Sequence, residues 1–202
     1  MYNIKGIMKI QTLKKRTAKF ISFIFGPLVW PITLVIVLFK TNLSNQQLSI
    51  LLPTLLIFQV VIPYCYIFFA YKKKIIRDLD ISKRQERYKA LIITLSSFLI
   101  SLIFAYFFGN PLILKLCFLT LIILLINALI TLFWKISLHM TINIVAALLI
   151  NFIFNWQLPI LYLSLPLIFW SRLYLKKHSV NQLLGALVLN GVIVLIFVFL
   201  GL

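Results

Sequence analysis

The residues best suited to chemistry are the only two histidines of the chain and the cationic and amide side chains around them. His139 follows Lys135 by four residues, and His178 follows Arg172 by six residues and precedes Gln182 by four. On a helix, residues four apart share a face. An arginine can bind two phosphate oxygens, one imidazole can attack phosphorus, and a second can protonate the departing oxygen. These residue types therefore favour phosphate chemistry if the two segments meet.

The elements that must position these residues are apolar. Hydrophobic residues make up 63% of the 202 residues, and the mean hydropathy is +1.10, which leaves too little polar surface for a water-soluble globule. Several runs reach the length of roughly 20 residues that a helix needs to cross a bilayer. They lack the short alternating segments of a membrane barrel.

Seven runs predict an all-α, polytopic membrane bundle of about seven transmembrane helices. Residues 1–202 then form a single membrane domain, with a basic N-terminal tail (1–19), a core (20–202) and a basic cytoplasmic loop (71–89). The sixth run is short and contains Pro159 and Pro166, which predicts a kinked segment or one packed inside the bundle. We expect the first run to be a retained helix and not a signal peptide. The predicted spans are about 20–39, 48–70, 90–108, 112–133, 137–154, 157–171 and 180–202.

Charge predicts the orientation of these spans. Seven crossings place eighteen of the twenty lysines and arginines on one face, and the positive-inside rule assigns that face and the N-terminus to the cytoplasm. The formal charge of +17 would suggest a nucleic-acid partner on a soluble protein, but here the cations lie between membrane segments. We therefore expect anionic lipid headgroups as partners, no nucleic acid, and a plasma-membrane location. The same topology brings both histidines to one face.

The sequence Lys-x-Ser-x-His, followed by Ser-Arg-x5-His-x3-Gln, resembles the second and third motifs of the type 2 phosphatidic acid phosphatase superfamily. That superfamily includes lipid phosphatases, soluble acid phosphatases and vanadium haloperoxidases, and this chain looks like a small bacterial membrane branch of it. The first family motif is a basic run that ends in Arg-Pro. It is matched loosely by residues 83–90, which lack the proline. The resemblance extends from about residue 20 to the end.

The resemblance implies hydrolysis of a phosphate or diphosphate monoester of a lipid, of phosphatidate or polyprenyl type. His178 would be the nucleophile that forms a phosphohistidine, His139 the general acid, and Gln182 would replace the aspartate that orients the nucleophile. No metal or cofactor is expected. The residues implied in phosphate binding are Arg172, Arg84 or Arg87, Lys135 and Ser137.

Two departures from the family pattern favour an alternative. The usual Pro-Ser-Gly-His is Ile-Ser-Leu-His at residues 136–139, so the glycine that would admit phosphate to backbone amides is missing. The amide of Gln182 can accept a hydrogen bond from imidazole but cannot stabilise an imidazolium as a carboxylate does. The alternative is an inactive relative that binds anionic lipid headgroups.

Other polar residues suggest further possibilities. Asp78 and Asp80 resemble half of a magnesium-diphosphate site, but the chain has only three acidic residues in all. A carrier or scramblase would need a continuous polar path, and the outer half contains little that ionises apart from Lys115. Amides inside the runs are expected to form hydrogen bonds between helices. These amides are Gln59, Asn127, Asn143, Asn151 and Asn190.

Overall fold

The computed structural model describes residues 4–26 and 28–201, with side chains from residue 11 onward. These residues form helices and no strand, which confirms the predicted all-α class. Three single-turn pieces accompany the α-helices: a π-helical turn at Ile57–Val61 and 3-10 turns at Arg84–Glu86 and Pro159–Leu163. The α-helices are α1 (Ile4–Ile24), α2 (Val29–Lys40), α3 (Asn45–Leu56), α4 (Ile62–Lys72), α5 (Arg87–Phe108), α6 (Pro111–Phe133), α7 (Leu138–Ile153), α8 (Ser164–Tyr174) and α9 (Val180–Phe199).

Five helical stretches of the described chain are long and apolar enough to cross a membrane. Helix α7 is apolar but shorter, and α8 has only 11 residues. The structure therefore fits a multi-pass membrane protein and identifies five of the seven predicted spans by length and composition. The five stretches are Gln11–Lys40, Asn45–Lys72, Arg84–Phe108, Pro111–Phe133 and Val180–Phe199.

Three predicted spans are not straight α-helices. One of them, at 48–70, contains the π-helical turn at Ile57–Val61. The span at 20–39 is interrupted between the end of α1 at Ile24 and the start of α2 at Val29, and the basic segment before it is helical. Gly26 lies in this interruption, where its low helix propensity favours a break. The span at 157–171 begins as a 3-10 turn at Pro159–Leu163, and α8 follows it with Pro166 in its first turn.

Helix α7 occupies the centre of the bundle and positions His139. Nearly every residue from Met140 to Asn151 is buried, and α7 packs against α2, α8 and α9. Helices α5 and α6 form an antiparallel hairpin beside this centre, and Asn110 caps α6 by accepting a hydrogen bond from the Ile113 N–H. Since α7 starts on the side where α8 ends and α9 starts, His139, Arg172 and His178 lie at one end of the bundle.

Three of the five predicted amides, Gln59, Asn127 and Asn190, form hydrogen bonds between helices. Asn143 and Asn151 instead donate to carbonyls of their own helix and of adjacent loops. The amide nitrogen of Asn127 on α6 donates to the side-chain oxygen of Asn190 on α9 at 2.6 Å, and the Thr141 hydroxyl of α7 donates to Asn127 at 3.1 Å. Gln59, within the π-helical turn, donates to the Ser101 hydroxyl of α5 at 2.8 Å. In lipid, such groups have no water as an alternative partner, so these bonds fix the helices relative to one another.

Candidate functional site

Side chains from distant segments form a polar cluster at one end of the bundle. They come from the loop between α4 and α5, the start of α5, the turn before α7, the start of α7, the end of α8 and the turn before α9. Hydrogen bonds, ion pairs or electrostatic influence link its members. The polar cluster consists of Asp78, Asp80, Arg87, Lys135, His139, Arg172, Lys177 and His178.

Arg172, in the last turn of α8, is the most deeply buried charged member, with 1% of its surface exposed. Its Nη1 donates to the Ser22 hydroxyl at 2.6 Å and to a carboxylate oxygen of Asp80 at 3.0 Å. Its Nε is buried and has no hydrogen-bond partner among the described residues. A buried unpaired donor destabilises a fold by about 1–3 kcal/mol. An oxygen of an anionic ligand would provide the missing acceptor.

Asp80 connects the cations of the polar cluster. One carboxylate oxygen lies 3.0 Å from Nη1 of Arg172 and 3.6 Å from Nζ of Lys177, and the other lies 3.9 Å from Nε2 of His139. Burial by itself would raise the pKa of the Asp80 carboxyl, but the charges of Arg172 and Lys177 outweigh it and lower the pKa. The carboxylate is therefore ionised at neutral pH.

The loop that carries Asp80 is held in place on both sides of it. Ile76 and Ile81 are buried against Ala70, and Ile81 has a φ of +46°, a conformation unfavourable for a β-branched residue. Nε of Arg87 donates to the Ile81 carbonyl at 2.9 Å. Strained backbone of this kind persists only where its surroundings fix it. Asp80 is thus presented to Arg172 by a defined loop.

His178 is oriented by the residues that begin α9. Its Nδ1 lies 3.2 Å from Oε1 of Gln182, and the same oxygen accepts the Ser179 backbone N–H at 3.2 Å. Because this backbone group can only donate, it fixes the amide oxygen toward the ring, and Nδ1–H must be the donor to it. The Nε2 atom of His178 then carries the lone pair, as a nucleophile requires.

Electrostatics keep the His178 ring neutral. Burial first, and then nearby charges led by Arg172 and Arg87, lower the pKa of His178 from 6.5 to about 3. The hydrogen bond to Gln182 opposes this shift only in part. At neutral pH the imidazole therefore carries no proton on Nε2. Lys177, the residue before His178, contacts Asp80, which also pairs with Arg172, so His178 lies at the same end of the bundle as Arg172.

His139 lies in the first turn of α7, against a glycine from a different part of the chain. A Cβ atom on Gly26 would lie 2.7 Å from Nε2 of His139, so only glycine admits the ring there. Ser137, predicted to assist phosphate binding, is fully buried, and its hydroxyl accepts the Met140 N–H as the cap of α7. Ser137 thus supports the position of His139 through the helix that both begin.

Arg84 and Arg87, the two alternatives for a phosphate-binding arginine, have different surroundings. Nη1 of Arg84 donates to the Leu132 carbonyl at 2.6 Å, on the exposed side of the loop. Arg87 is buried, and its Nη1 donates to the Ile136 carbonyl at 2.9 Å. Of these two arginines, Arg87 is the one whose charge helps to lower the pKa of His178. Arg87 is therefore the member of the polar cluster, and Arg84 lies beside it.

Lys135 also belongs to the polar cluster. Its Nζ donates to the Lys177 carbonyl at 2.8 Å, which joins the turn before α7 to the turn before α9. Burial, followed by the charges of Arg87 and Arg172, lowers the pKa of Lys135. An anionic ligand would offset the positive charge that is concentrated around Lys135.

A polar cavity of about 490 Å³ opens beside the polar cluster. Lys177 is shared by both, since its Nζ contacts Asp78 at 3.3 Å and Asp80 at 3.6 Å. Cations outnumber carboxylates in the lining, which makes the cavity attractive to anions. Its lining comprises Arg77, Asp78, Ser82, Lys83, Lys135, Leu175, Lys176 and Lys177.

Sequence reasoning missed five members or supports of this site: Ser22, Gly26, Asp78, Asp80 and Lys177. The sequence suggests Asp80 as a magnesium ligand, yet its carboxylate faces Arg172 and Lys177. Glu86, the third acidic residue, pairs with Arg77. The scarcity of acidic residues was the available signal, because a lone carboxylate among so many cations must have a partner.

No protein-family model, curated protein or solved structure matches the chain. What the polar cluster can do follows from its own geometry and from the two short motifs.

Proposed function

We propose that this chain is a multi-pass membrane phosphatase that hydrolyses a phosphate or diphosphate monoester of a lipid through a phosphohistidine intermediate. One observation carries the proposal: His139 and Arg172 both lie against Asp80 at the end of an apolar bundle, and Lys177, next to His178, contacts the same carboxylate. The buried unpaired Nε of Arg172 supports an anionic ligand. A lipid substrate would keep its tail in the bilayer and present its phosphate to this end.

In the first chemical step, Nε2 of His178 attacks phosphorus and the bond between phosphorus and the leaving oxygen breaks. His139 donates a proton to that oxygen, so the lipid leaves as an alcohol, or as a monophosphate when the substrate is a diphosphate. Arg172 offsets the charge on the phosphoryl oxygens. The neutral ring of His178 and its Nδ1–H bond to Gln182 fit this role.

In the second step, water attacks the phosphohistidine. His139, now unprotonated, takes a proton from the water, the bond between phosphorus and Nε2 breaks, and inorganic phosphate leaves. Each histidine returns to its starting state, and no metal enters the balance.

The membrane arrangement is part of the proposal. Helix α7, together with the segment 159–174 as a returning partner, would complete seven crossings with the five longer stretches. The excess of lysine and arginine at the end that carries the polar cluster favours a cytoplasmic location for it, in the plasma membrane. The substrate phosphate would then enter from the inner leaflet.

Phosphate release tests this function directly. Purified protein in vesicles that contain phosphatidate or a polyprenyl diphosphate should release inorganic phosphate, and His178→Ala should abolish the release because no nucleophile remains. Lys40→Ala, predicted to lie at the opposite end of the bundle, is the control and should retain activity. Release that survives His178→Ala would refute the assignment.

A second candidate is an inactive relative that binds anionic headgroups. Gln182 supports it, since exchange of carboxylate for amide at the matching position of a serine protease lowers turnover roughly 10⁴-fold. In this case the protein binds phosphatidate, Arg172→Ala weakens the binding, and no phosphate appears in the assay above.

A further inference from the structure

We propose that the ligand class of this site is a diphosphate ester, and that Asp78 and Asp80 occupy the positions of its two phosphates in the unliganded protein. The inference deepens the proposed function and rests on it for the identification of phosphate as the ligand chemistry. It adds a second anion position next to the first, and it selects one of the two substrate types that the motifs leave open.

The inner position is where the Asp80 carboxylate lies. Its oxygens face Arg172, Lys177 and Nε2 of His139. These are the kinds of group that a phosphate under hydrolysis needs: two cations for its oxygens and an imidazole to protonate the leaving oxygen. A phosphoryl group that takes the place of this carboxylate is already within reach of the proposed general acid.

The outer position is where the Asp78 carboxylate lies. One oxygen of Asp78 is 3.3 Å from Nζ of Lys177, which also donates to the Ser82 hydroxyl at 2.6 Å. The same Lys177 nitrogen therefore contacts both carboxylates. A single ammonium group that bridges two adjacent anions is an arrangement suited to the neighbouring phosphates of a diphosphate.

The cavity supplies further cations on the outer side. Lys83 and Lys176 line it together with Lys177, and Asp78 is its one acidic lining residue. A monophosphate held at the inner position leaves these lysines without an anionic partner. A second phosphate would reach them, because it extends from the inner position toward the open cavity.

Charge supports two phosphates over one. Apart from its two imidazoles, the polar cluster holds four cations against the two carboxylates. These cations are Arg87, Lys135, Arg172 and Lys177. The excess of positive charge grows when the Asp78 and Asp80 side chains turn away to admit a ligand. A ligand with more negative charge therefore gains more electrostatic binding energy.

Asp80 has room to turn. Its side chain is 31% exposed although its backbone is held next to Ile81, so a rotation about its side-chain bonds can release Arg172 without unfolding the loop. The internal carboxylates would thus keep the cations paired until a diphosphate displaces them.

Non-hydrolysable probes test the ligand class without turnover. Methylenediphosphonate and methylphosphonate differ by the second phosphonate, and calorimetry on the detergent-solubilised full chain should show the diphosphonate binding at least about tenfold more tightly. Equal affinities would overturn the proposal, and this comparison needs no variant.

A matched pair of variants locates the two positions. Asp78→Asn should tighten methylenediphosphonate several-fold and leave methylphosphonate unchanged, whereas Asp80→Asn should tighten both, because it removes the negative charge that competes at the inner position. The same several-fold gain for both probes in Asp78→Asn would refute the outer position. Lys176→Ala should weaken only the diphosphonate, and Lys40→Ala should change neither probe.

A tail-bearing probe identifies the source of the diphosphate. Farnesyl methylenediphosphonate should bind more tightly than the tail-free compound if the ligand is a lipid, and equal binding would exclude the ester proposed here. Failure of the proposed function has a different signature: diphosphonate preference without any phosphate release. Phosphate release with no diphosphonate preference would overturn this inference alone.

Discussion

Acidification should destabilise this protein through His178. The ring is 7% exposed, and burial together with nearby cations lowers its pKa from 6.5 to about 3. In the unfolded chain the ring takes up a proton as the pH falls below about 6.5, but in the folded chain it stays neutral until about pH 3. The unfolded state therefore binds more protons in this window, and the stability that His178 contributes above pH 6.5 is lost as the pH falls.

The size of this loss follows from linkage. Between pH 7 and pH 5, an unfolded-state pKa of 6.5 and a folded-state pKa of about 3 give a loss of about 2 kcal/mol in the free energy of unfolding. For a chain of this length, 1 kcal/mol corresponds to a shift of about 2–4 °C in the melting temperature. His178 should therefore lower the melting temperature by about 4–8 °C over this range.

Thermal unfolding in detergent at pH 7 and pH 5 measures the effect. The reference is His178→Asn, whose side-chain amide can still donate to Gln182 but does not titrate. The wild type should lose about 4–8 °C more than this variant between the two values of pH. Ionisable groups other than His178 are common to both proteins, so their contributions cancel in the comparison. Equal losses would show that the cations do not surround His178 as described.

Two further predictions concern packing within the bundle. Gly185→Ala should lower the free energy of unfolding by about 1–3 kcal/mol, because the new Cβ would lie 2.6 Å from the ring of Trp134, and the melting temperature in detergent should fall accordingly. Asn190→Ala should lower the free energy of unfolding by about 1–3 kcal/mol, because buried Asn127 loses the side-chain oxygen that accepts its hydrogen bond at 2.6 Å. An unchanged melting temperature would contradict that role.

The helical class and most of the long helices could be predicted because lipid imposes a simple requirement. A run must be long and apolar enough to span the bilayer, and every backbone group must find a partner within it. Helices α5, α6 and α9 match their predicted spans to within a few residues. The interruption before Val29 was not predicted, because hydropathy averages across a break that involves a few residues.

The composition of the polar cluster could be predicted only in part. The motif spacing identified His139, Arg172 and His178, since residues at the ends of crossing helices share a depth. Asp80 was missed because its position depends on an irregular loop with a positive φ at Ile81, a conformation that residue types do not specify. The choice between Arg84 and Arg87 required the direction in which α5 begins, which periodicity leaves uncertain by one residue or more.

The bond between Ser22 and Arg172 has a consequence for biogenesis, since its partners are 150 residues apart in the chain. At a synthesis rate of about 5–20 residues per second, Ser22 emerges from the ribosome roughly 8–30 s before Arg172. The Ser171 hydroxyl donates to the Ala18 carbonyl at 2.7 Å, so this bond also forms only after α8 has been synthesised. Helix α1 therefore cannot dock against α8 until α8 has been inserted, and the site matures only after the segments that carry Arg172 and His178 have been synthesised.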